Sequence, residues 1–592
     1  MTEMSQSSSV ARPLTFTFLG LVLLLAALWG SRPLIHDDLF FHLATGQSVV
    51  ENHQVPTTDV FSFTRGGERW VSHEWGFGVM AYFFWSAGGD GSLVALKALV
   101  TVTILLALLA LMIWRSGSRA TAPAPAVVAL LAVCLWAIND QLILRASLFS
   151  SLFVLVLLGL LHWFDAKGGR LPFAAIALLF LIWGNFHGEV IFGLFVLGLF
   201  TIEAVLARWN VVSRIVPTSL LQANRDRPYL LLLVTALVLT LVNPNGIQVL
   251  LYPFRLASFL FSNGDTLEMG HFAGATPAAA GGFYLLIAIL LLGLLPIERL
   301  KSLSLTEVGT VGAFLLLSLK SHRFIFFFTL FSLPVIVRLF ADKHTEAPSL
   351  LRSPRVRLSV VTLTMVVVAA TAAVAWRTHE PGPVSPHFPA GAIAVLETGV
   401  KPGRAFNHQN YGGYLRWHLG EPVFWDGRNL LFASLMKEVA SMPLAEVVEK
   451  WEINYLLLTE FEYQQMQDQI ILDAWGLAFW DDFSALFLLR DGSLGPLLAE
   501  TELRLFPPFG GIENLSALAK NPPQNSAARH ELDHILSFQP QCQRALYLHG
   551  LISFYEGDNV RAASELRHAL ELGENPFVEK ALARVQEQSS SN

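Results

Sequence analysis

Charge is what this sequence has least of. Only 15% of its 592 residues are Asp, Glu, Lys or Arg, against roughly 25% in a typical soluble domain. A soluble chain of this length would form several domains, each needing a polar surface. The shortage excludes an ordinary water-soluble enzyme. Hydrophobic residues make up 53% and Phe alone numbers 43, which excludes disorder. Cysteine is also scarce. Cys134 lies in an apolar run and Cys542 near the far end, so no disulfide scaffold is expected and the thiols say little about redox compartment. Positive charge is not in excess either. The net charge of −6 offers no general attraction for nucleic acid.

What is present is a succession of apolar runs, at 14–29, 93–114, 126–142, 148–164, 171–183, 190–206, 229–242, 283–295, 305–319, 324–340 and 358–376. These are about eleven runs near bilayer-crossing length. Small residues at Ala26, Ala27, Gly30 and Ser31 would suit signal-peptide cleavage, but further spans follow and a retained anchor is expected. The shorter apolar stretch 75–85 reads as interfacial or as a lead-in to the second span. Alternate loops carry Arg115, Arg119, Lys167, Arg170, Arg208, Arg214, Arg225, Arg227, Arg299, Lys301, Lys343, Arg352, Arg355 and Arg357. Those loops are expected to be cytoplasmic. Segments 31–90, 185–189, 243–282 and 320–323 then lie outside, as does everything after Trp376. The N-terminus lies inside.

The expected architecture is an α-helical polytopic membrane bundle over 1–380, with a first outer loop at 31–90. An extracytoplasmic α/β domain follows at 381–520, then a short helical tail at 521–592. In the α/β domain, 422–425 and 455–459 read as strands, and 430–442 and 444–451 as helices. In the tail, Gly550, Gly557, Ala562 and Ala569 have tetratricopeptide-repeat spacing, with Pro576 closing the unit. An ordinary helical hairpin has the same features.

Polar and ionisable groups are costly in a bilayer and mark sites or pathways. Here they collect at the expected outer ends of the spans: His36, Asp37, Asp38, His42, His73, Glu74, Asp140, Arg145, Asn185, His187, Glu189, Asn243, Asn245, His271, Lys320, His322 and Arg323. A bundle would gather many of them around one outward-facing cavity, although polar residues also simply prefer span ends. Lys97 and Glu203, inside spans, read as snorkelling or helix contacts. If 34–50 is helical, Asp38 and His42 share a face and Asp37 points elsewhere. His36, Asp38 and His42 then have the spacing of a divalent-cation site. Asp38 would equally serve as a helix cap.

On these residues the sequence resembles the C-type (GT-C) membrane glycosyltransferases. Within that superfamily it is most similar to multi-pass bacterial proteins with three successive patterns. The first is Asp-x-Asp-x-aromatic-aromatic-His-Leu, here 36–43. Pro-Thr-Thr-Asp-x-Phe-Ser follows, here 56–62, and then His-Glu-Trp, here 73–75. Asn185-Phe-His187-Gly188, Asn243-Pro-Asn-Gly246 through Tyr252-Pro253, Tyr411-Gly-Gly-Tyr414 and Asp426-Gly-Arg428 also resemble that group. The likeness covers about 14–490. It departs at His36, where the pattern has Asp.

The resemblance implies transfer of a sugar from a polyprenyl-phosphate carrier to an extracytoplasmic glycan, lipid or protein acceptor. Asp38 is then the expected base, with Asp37 as its backup. Arg145, His187, His322, Arg323, His73 and Glu74 would contact substrate or phosphate. A divalent cation, Mg or Mn, would be the one cofactor, on His36, Asp38 and His42. The implied location is a bacterial inner membrane, and the helical tail would meet an envelope protein. Arg428 would touch the acceptor or pair with Asp426. Two other readings stand beside this one. A catalytically silent scaffold would use its tail to recruit a partner. A transporter is the other, but paired internal repeats are not visible.

Overall fold

The computed structural model describes residues 2–116, 125–209, 220–262, 275–341, 382–398, 401–510 and 515–591, with isolated positions between 362 and 373. His271 and most of the expected span at 358–376 lie outside the described residues. The chain divides into two compact units. The first comprises Met1–His36, Gly46–Thr57 and Val71–Pro383, and the second Asp37–Thr45, Thr58–Trp70 and Val384–Asn592.

The first unit is helical. Five of its described helices are long and apolar enough to cross a membrane: Trp75–Arg115, Ala146–Lys167, Val190–Arg208, Pro277–Leu294 and His322–Phe340. Thr15–Gly30, Ala126–Ala137, Arg170–Gly184 and Tyr229–Thr240 are apolar but shorter, and Leu305–Lys320 has 16 residues. About eleven spans are expected from hydropathy, and five of full length are found among the described residues. The lead-in 75–85 is a helix continuous with the next span except at Gly88 and Gly89, whose backbones leave helical geometry. Gly89 has φ +62°, a left-handed conformation that glycine adopts at little cost.

Both intramembrane charges are met largely by backbone groups. Lys97 Nζ donates to the carbonyls of Arg32 (2.6 Å) and Pro33 (3.1 Å), just past the first helix. Glu203 accepts from the amides of Gln222, Ala223 and Thr306 and from the Thr306 hydroxyl, at 2.6–2.9 Å. These partners are mostly loop backbone rather than neighbouring helices, and they offset part of the cost of a buried charge.

The second unit is built on a four-stranded sheet in the order β1-β2-β4-β3. The strands are β1 (Ala405–Asn407), β2 (Tyr455–Leu458), β3 (Trp475–Trp480) and β4 (Ala485–Leu489). β1 runs parallel to β2, and the other pairs are antiparallel. Nearly every strand residue is buried on both faces, so the strands read as apolar runs rather than alternating ones. Helices Asn429–Val439 and Leu444–Trp451 form as anticipated. The stretch 422–425 does not become a strand of this sheet. Val423 instead bridges Ser62, donating to the Phe61 carbonyl and accepting from the Phe63 amide. This segment of the first outer loop is therefore stitched to the turn before Arg428.

The tail helices Pro522–Phe538, Gln543–Glu556, Asn559–Glu571 and Pro576–Ser591 pack through Leu546, Ala562, Leu566, Ala569 and Val578. The tail is tied to the sheet. Asp482, just after β3, accepts from the amides of Gln543 (2.7 Å) and Arg544 (2.9 Å). The Arg544 guanidinium lies over Trp480 at 4.2 Å.

Candidate functional site

Asp38 opens a helix, Asp38–Asn52. Its carboxylate sits in the first turn, where the helix dipole favours negative charge. Phe40, Phe41, Leu43 and Ala44 are buried, and these apolar residues pack the start of the helix, up to Thr45, within the second unit. Phe40 meets Tyr414 and Phe388 edge-on at 4.7 and 4.9 Å. Phe41 and Ala44 join Phe61, Trp70 and Trp417 in one cluster.

The consecutive residues His36, Asp37 and Asp38 bring one ligand atom each to within 4.8 Å of one another. Asp37 takes the place expected for His42. It precedes the helix, so helical spacing does not turn its side chain away from Asp38. His42, one turn on, is buried at 4% exposure with its ring 4.2 Å from that of Phe41. One imidazole and two carboxylates form a mixed nitrogen and oxygen donor set. That chemistry fits Mn better than Mg, which prefers oxygen alone.

Around Asp37 and Asp38 the second unit presents glycine. A β-carbon on Gly427 would overlap Asp38 Oδ1, and one on Gly413 would press on the Asp37 carbonyl and the Phe41 amide. Gly412 lies against the backbone of Trp425 and Asp426 in the same way. The motifs Tyr411-Gly-Gly-Tyr414 and Asp426-Gly-Arg428 thus supply closely approaching backbone. Tyr414 stacks on Phe388 at 5.0 Å, and the Tyr411 hydroxyl donates to the Phe483 carbonyl at 2.8 Å.

Arg428 anchors the turn from below. It is 4% exposed, between Asp426 (1%) and Asp59 (2%). Its Nε donates to Asp426 Oδ1 at 2.8 Å and its Nη2 to Oδ2 at 2.7 Å, a bidentate pair. Its Nη1 is 2.7 Å from Asp59 Oδ1. The guanidinium also lies 4.6 Å over Trp70 and 5.4 Å over Phe61. Burial disfavours its charge, but the two carboxylates overcome this and raise its pKa. Asp59 additionally accepts from the Phe61 amide (3.0 Å) and the Ser62 amide (3.2 Å). Sequence reasoning did not single out Asp59. Its signal was the Asp-x-x-Ser turn inside Pro56-Thr-Thr-Asp59-Val-Phe-Ser62.

A second polar cluster belongs to the first unit. His187 Nε2 is 2.8 Å from Glu74 Oε1, and its Nδ1 is 3.1 Å from Glu189 Oε2. Nδ1 also lies 3.0 Å from Ser150 Oγ, which accepts from Trp183 Nε1 at 3.0 Å. Burial alone would lower the His187 pKa, but Glu189 and Glu74 raise it to about 10. It is therefore an imidazolium at neutral pH, donating from both ring nitrogens. His73 Nε2 lies 3.9 Å from Glu74 Oε1, and the ring packs on Tyr252 at 4.2 Å.

Backbone and amide contacts bind the same motifs together. Trp75 Nε1 donates to Asn185 Oδ1 at 3.2 Å, Asn185 Nδ2 to the Val242 carbonyl at 2.8 Å, and Asn245 Nδ2 to the Ser72 carbonyl at 3.1 Å. The motifs around residues 73, 185 and 243 therefore converge on one point. The other anticipated residues occupy span ends. Arg145 stands at the start of Ala146–Lys167, and His322 and Arg323 fill the short turn before Ile325–Ala341. Asp140 accepts from the Thr276 amide and hydroxyl at 2.8 and 2.7 Å, which assigns it to the start of the Pro277–Leu294 helix.

No protein-family model matches the chain, and no curated protein matches it. Solved structures do. The Archaeoglobus fulgidus oligosaccharyltransferase in its apo form aligns with a TM-score of 0.49 at 10% identity, over 81% of this chain and 74% of that one. The archaeal oligosaccharyltransferase AglB from Archaeoglobus fulgidus, in complex with an inhibitory peptide and a dolichol-phosphate, aligns with a TM-score of 0.50 at 11% identity. That alignment covers 78% of this chain and 72% of the other. In fold, the chain is similar to an archaeal oligosaccharyltransferase.

Proposed function

We propose that the protein is an integral membrane glycosyltransferase. It moves a sugar from a polyprenyl-phosphate carrier to an extracytoplasmic glycan, lipid or protein acceptor. The observation that carries this reading is the fold shared with AglB, whose structure was determined with a dolichol-phosphate. The apolar spans and the polar residues at their ends support it.

In this reading Asp38 accepts the acceptor's proton, with Asp37 beside it; such a base contributes about 10²–10⁴-fold. Arg145, His322 and Arg323 take the carrier phosphate. Arg matches phosphate geometry and keeps its charge. His187 and His73 adjoin Glu74, so this cluster receives phosphate only if a carboxylate gives way. His36, Asp37 and Asp38 would hold a divalent cation, which when bound supplies charge neutralisation for the leaving phosphate. The bundle lies in a bacterial inner membrane, and the α/β domain at 381–520 is extracytoplasmic. The tail, read as tetratricopeptide-like, meets an envelope partner.

The test is purified full-length protein with a panel of radiolabelled polyprenyl-phosphate sugars. Wild type releases or transfers label. Asp38→Asn abolishes this while its elution profile and melting temperature stay unchanged. Transfer that persists in Asp38→Asn refutes the assignment of the base.

A further inference from the structure

We propose that the 425–428 turn is the positioning element for Asp38, with Gly427 as the surface against which the carboxylate rests and Arg428 as the anchor. The inference rests on the transferase reading for its chemistry and on the second unit's geometry for its position.

Three observations converge. Gly427 approaches Asp38 so closely that a single methyl group there would overlap Oδ1. The turn that presents Gly427 is held at both sides. Arg428 is clamped by Asp426 on its own turn and by Asp59 from the first outer loop, all three at 4% exposure or less. On the other side, Gly412 lies against the Trp425 carbonyl and Asp426. The helix that carries Gly412 also carries Gly413, which touches the Asp37 carbonyl and the Phe41 amide. The backbone of Asp37 and the carboxylate of Asp38 are thus set by two glycine contacts from one rigid assembly.

A side chain at Gly427 would push the Asp38 carboxylate aside, and one at Gly413 would press on the Asp37 and Phe41 backbone. A displacement of about 1 Å in a reacting group costs on the order of 100-fold in rate. Arg428 is a positioning residue here: it acts on Asp38 through Gly427. The two motifs that contribute these glycines are therefore part of the transfer centre rather than contacts for the acceptor.

Gly427→Ala is the discriminating variant. The atom it displaces is the tip of a side chain, not backbone, so Asp38 can rotate away while the fold remains. Two measurements are made on the full-length protein. The first is the rate of carbodiimide coupling of glycine ethyl ester to Asp38, read by peptide mass spectrometry against the exposed Asp473. The second is turnover of whichever radiolabelled polyprenyl-phosphate sugar the wild type accepts. Gly427→Ala should change Asp38 coupling several-fold with Asp473 unchanged, and lower kcat about 100-fold at unchanged KM. Arg428→Lys keeps the charge but loses the bidentate pair, and should shift both readouts in the same direction by less.

Wild-type coupling at Asp38 in both folded variants overturns the proposal, as does wild-type kcat in Gly427→Ala. If coupling at Asp38 changes but the wild type turns over no polyprenyl-phosphate sugar, the transferase reading fails and the positioning role stands. If Asp38→Asn is inert while Gly427→Ala turns over normally, the positioning role fails and the transferase reading stands.

Discussion

At the scale of single residues, Arg428 shows how much a buried charge depends on its partners. It faces two buried carboxylates, and removing it leaves both uncompensated. Arg428→Ala is therefore expected to destabilise the second unit by about 3–5 kcal/mol, measured by thermal unfolding of the purified protein. Asp426→Asn should cost less, because the amide oxygen still accepts one guanidinium hydrogen bond and Asp59 keeps its charge. The pairing with Asp426 was legible from a separation of two residues. The pairing with Asp59 was not, because only the return of the first outer loop to Val423 brings the two together. His42 shows the opposite case. Helical spacing from Asp38 was read correctly, but spacing does not say which face is buried.

At the scale of elements, the turn between β3 and β4 carries a pH dependence. Asp481 accepts from the amides of Phe483 (2.9 Å) and Ser484 (2.7 Å), yet burial outweighs these bonds and pushes its carboxyl up to about 7. The folded state thus holds the proton more tightly than the unfolded one, whose pKa is near about 3.9. The contribution to stability is full below about 4, falls as the pH rises to about 7, and is constant above that. Asp481→Asn removes this titration. Its melting temperature relative to wild type should climb between about pH 4 and 7 and then level off. A flat difference across that window would contradict the assignment. Glu462 is raised to about 7 by the same cause, so the variant reduces the overall pH dependence without erasing it. His187 acts in another window. Its contribution is complete below about 6.5 and is lost as the pH passes about 10.

At the scale of the whole molecule, the tail cannot be treated as a detachable arm. Asp482 caps the start of Gln543–Glu556. Glu531 accepts from the Arg504 amide at 2.8 Å and the Leu505 amide at 3.1 Å. Cys542 is fully buried. Deleting the chain after Pro523 should therefore lower the thermal stability of the remaining protein and increase its aggregation, seen by size-exclusion chromatography in detergent. Loss of activity after that deletion would not identify the tail as a recruiting element. Substitution at the exposed Val560 and Phe577 removes tail surface while leaving these anchors, and should leave the melting temperature within error of wild type.

The sequence by itself determined the membrane character. Apolar runs and scarce charge act through composition, and burial in lipid needs no knowledge of which helix meets which. It also determined two helices and the strand Tyr455–Leu458, where local propensity and packing agree. Tertiary structure decided the rest. All four strands are buried and lack the alternation that identifies a strand, so periodicity singles out none of them, and β1, β3 and β4 are defined by their pairing. Of the expected spans, five are long apolar helices among the described residues. Above all, the surroundings of Asp38 come from residues far apart in the chain. Their meeting depends on backbone approach at glycine and on one buried arginine, and neither leaves a periodic trace in the sequence.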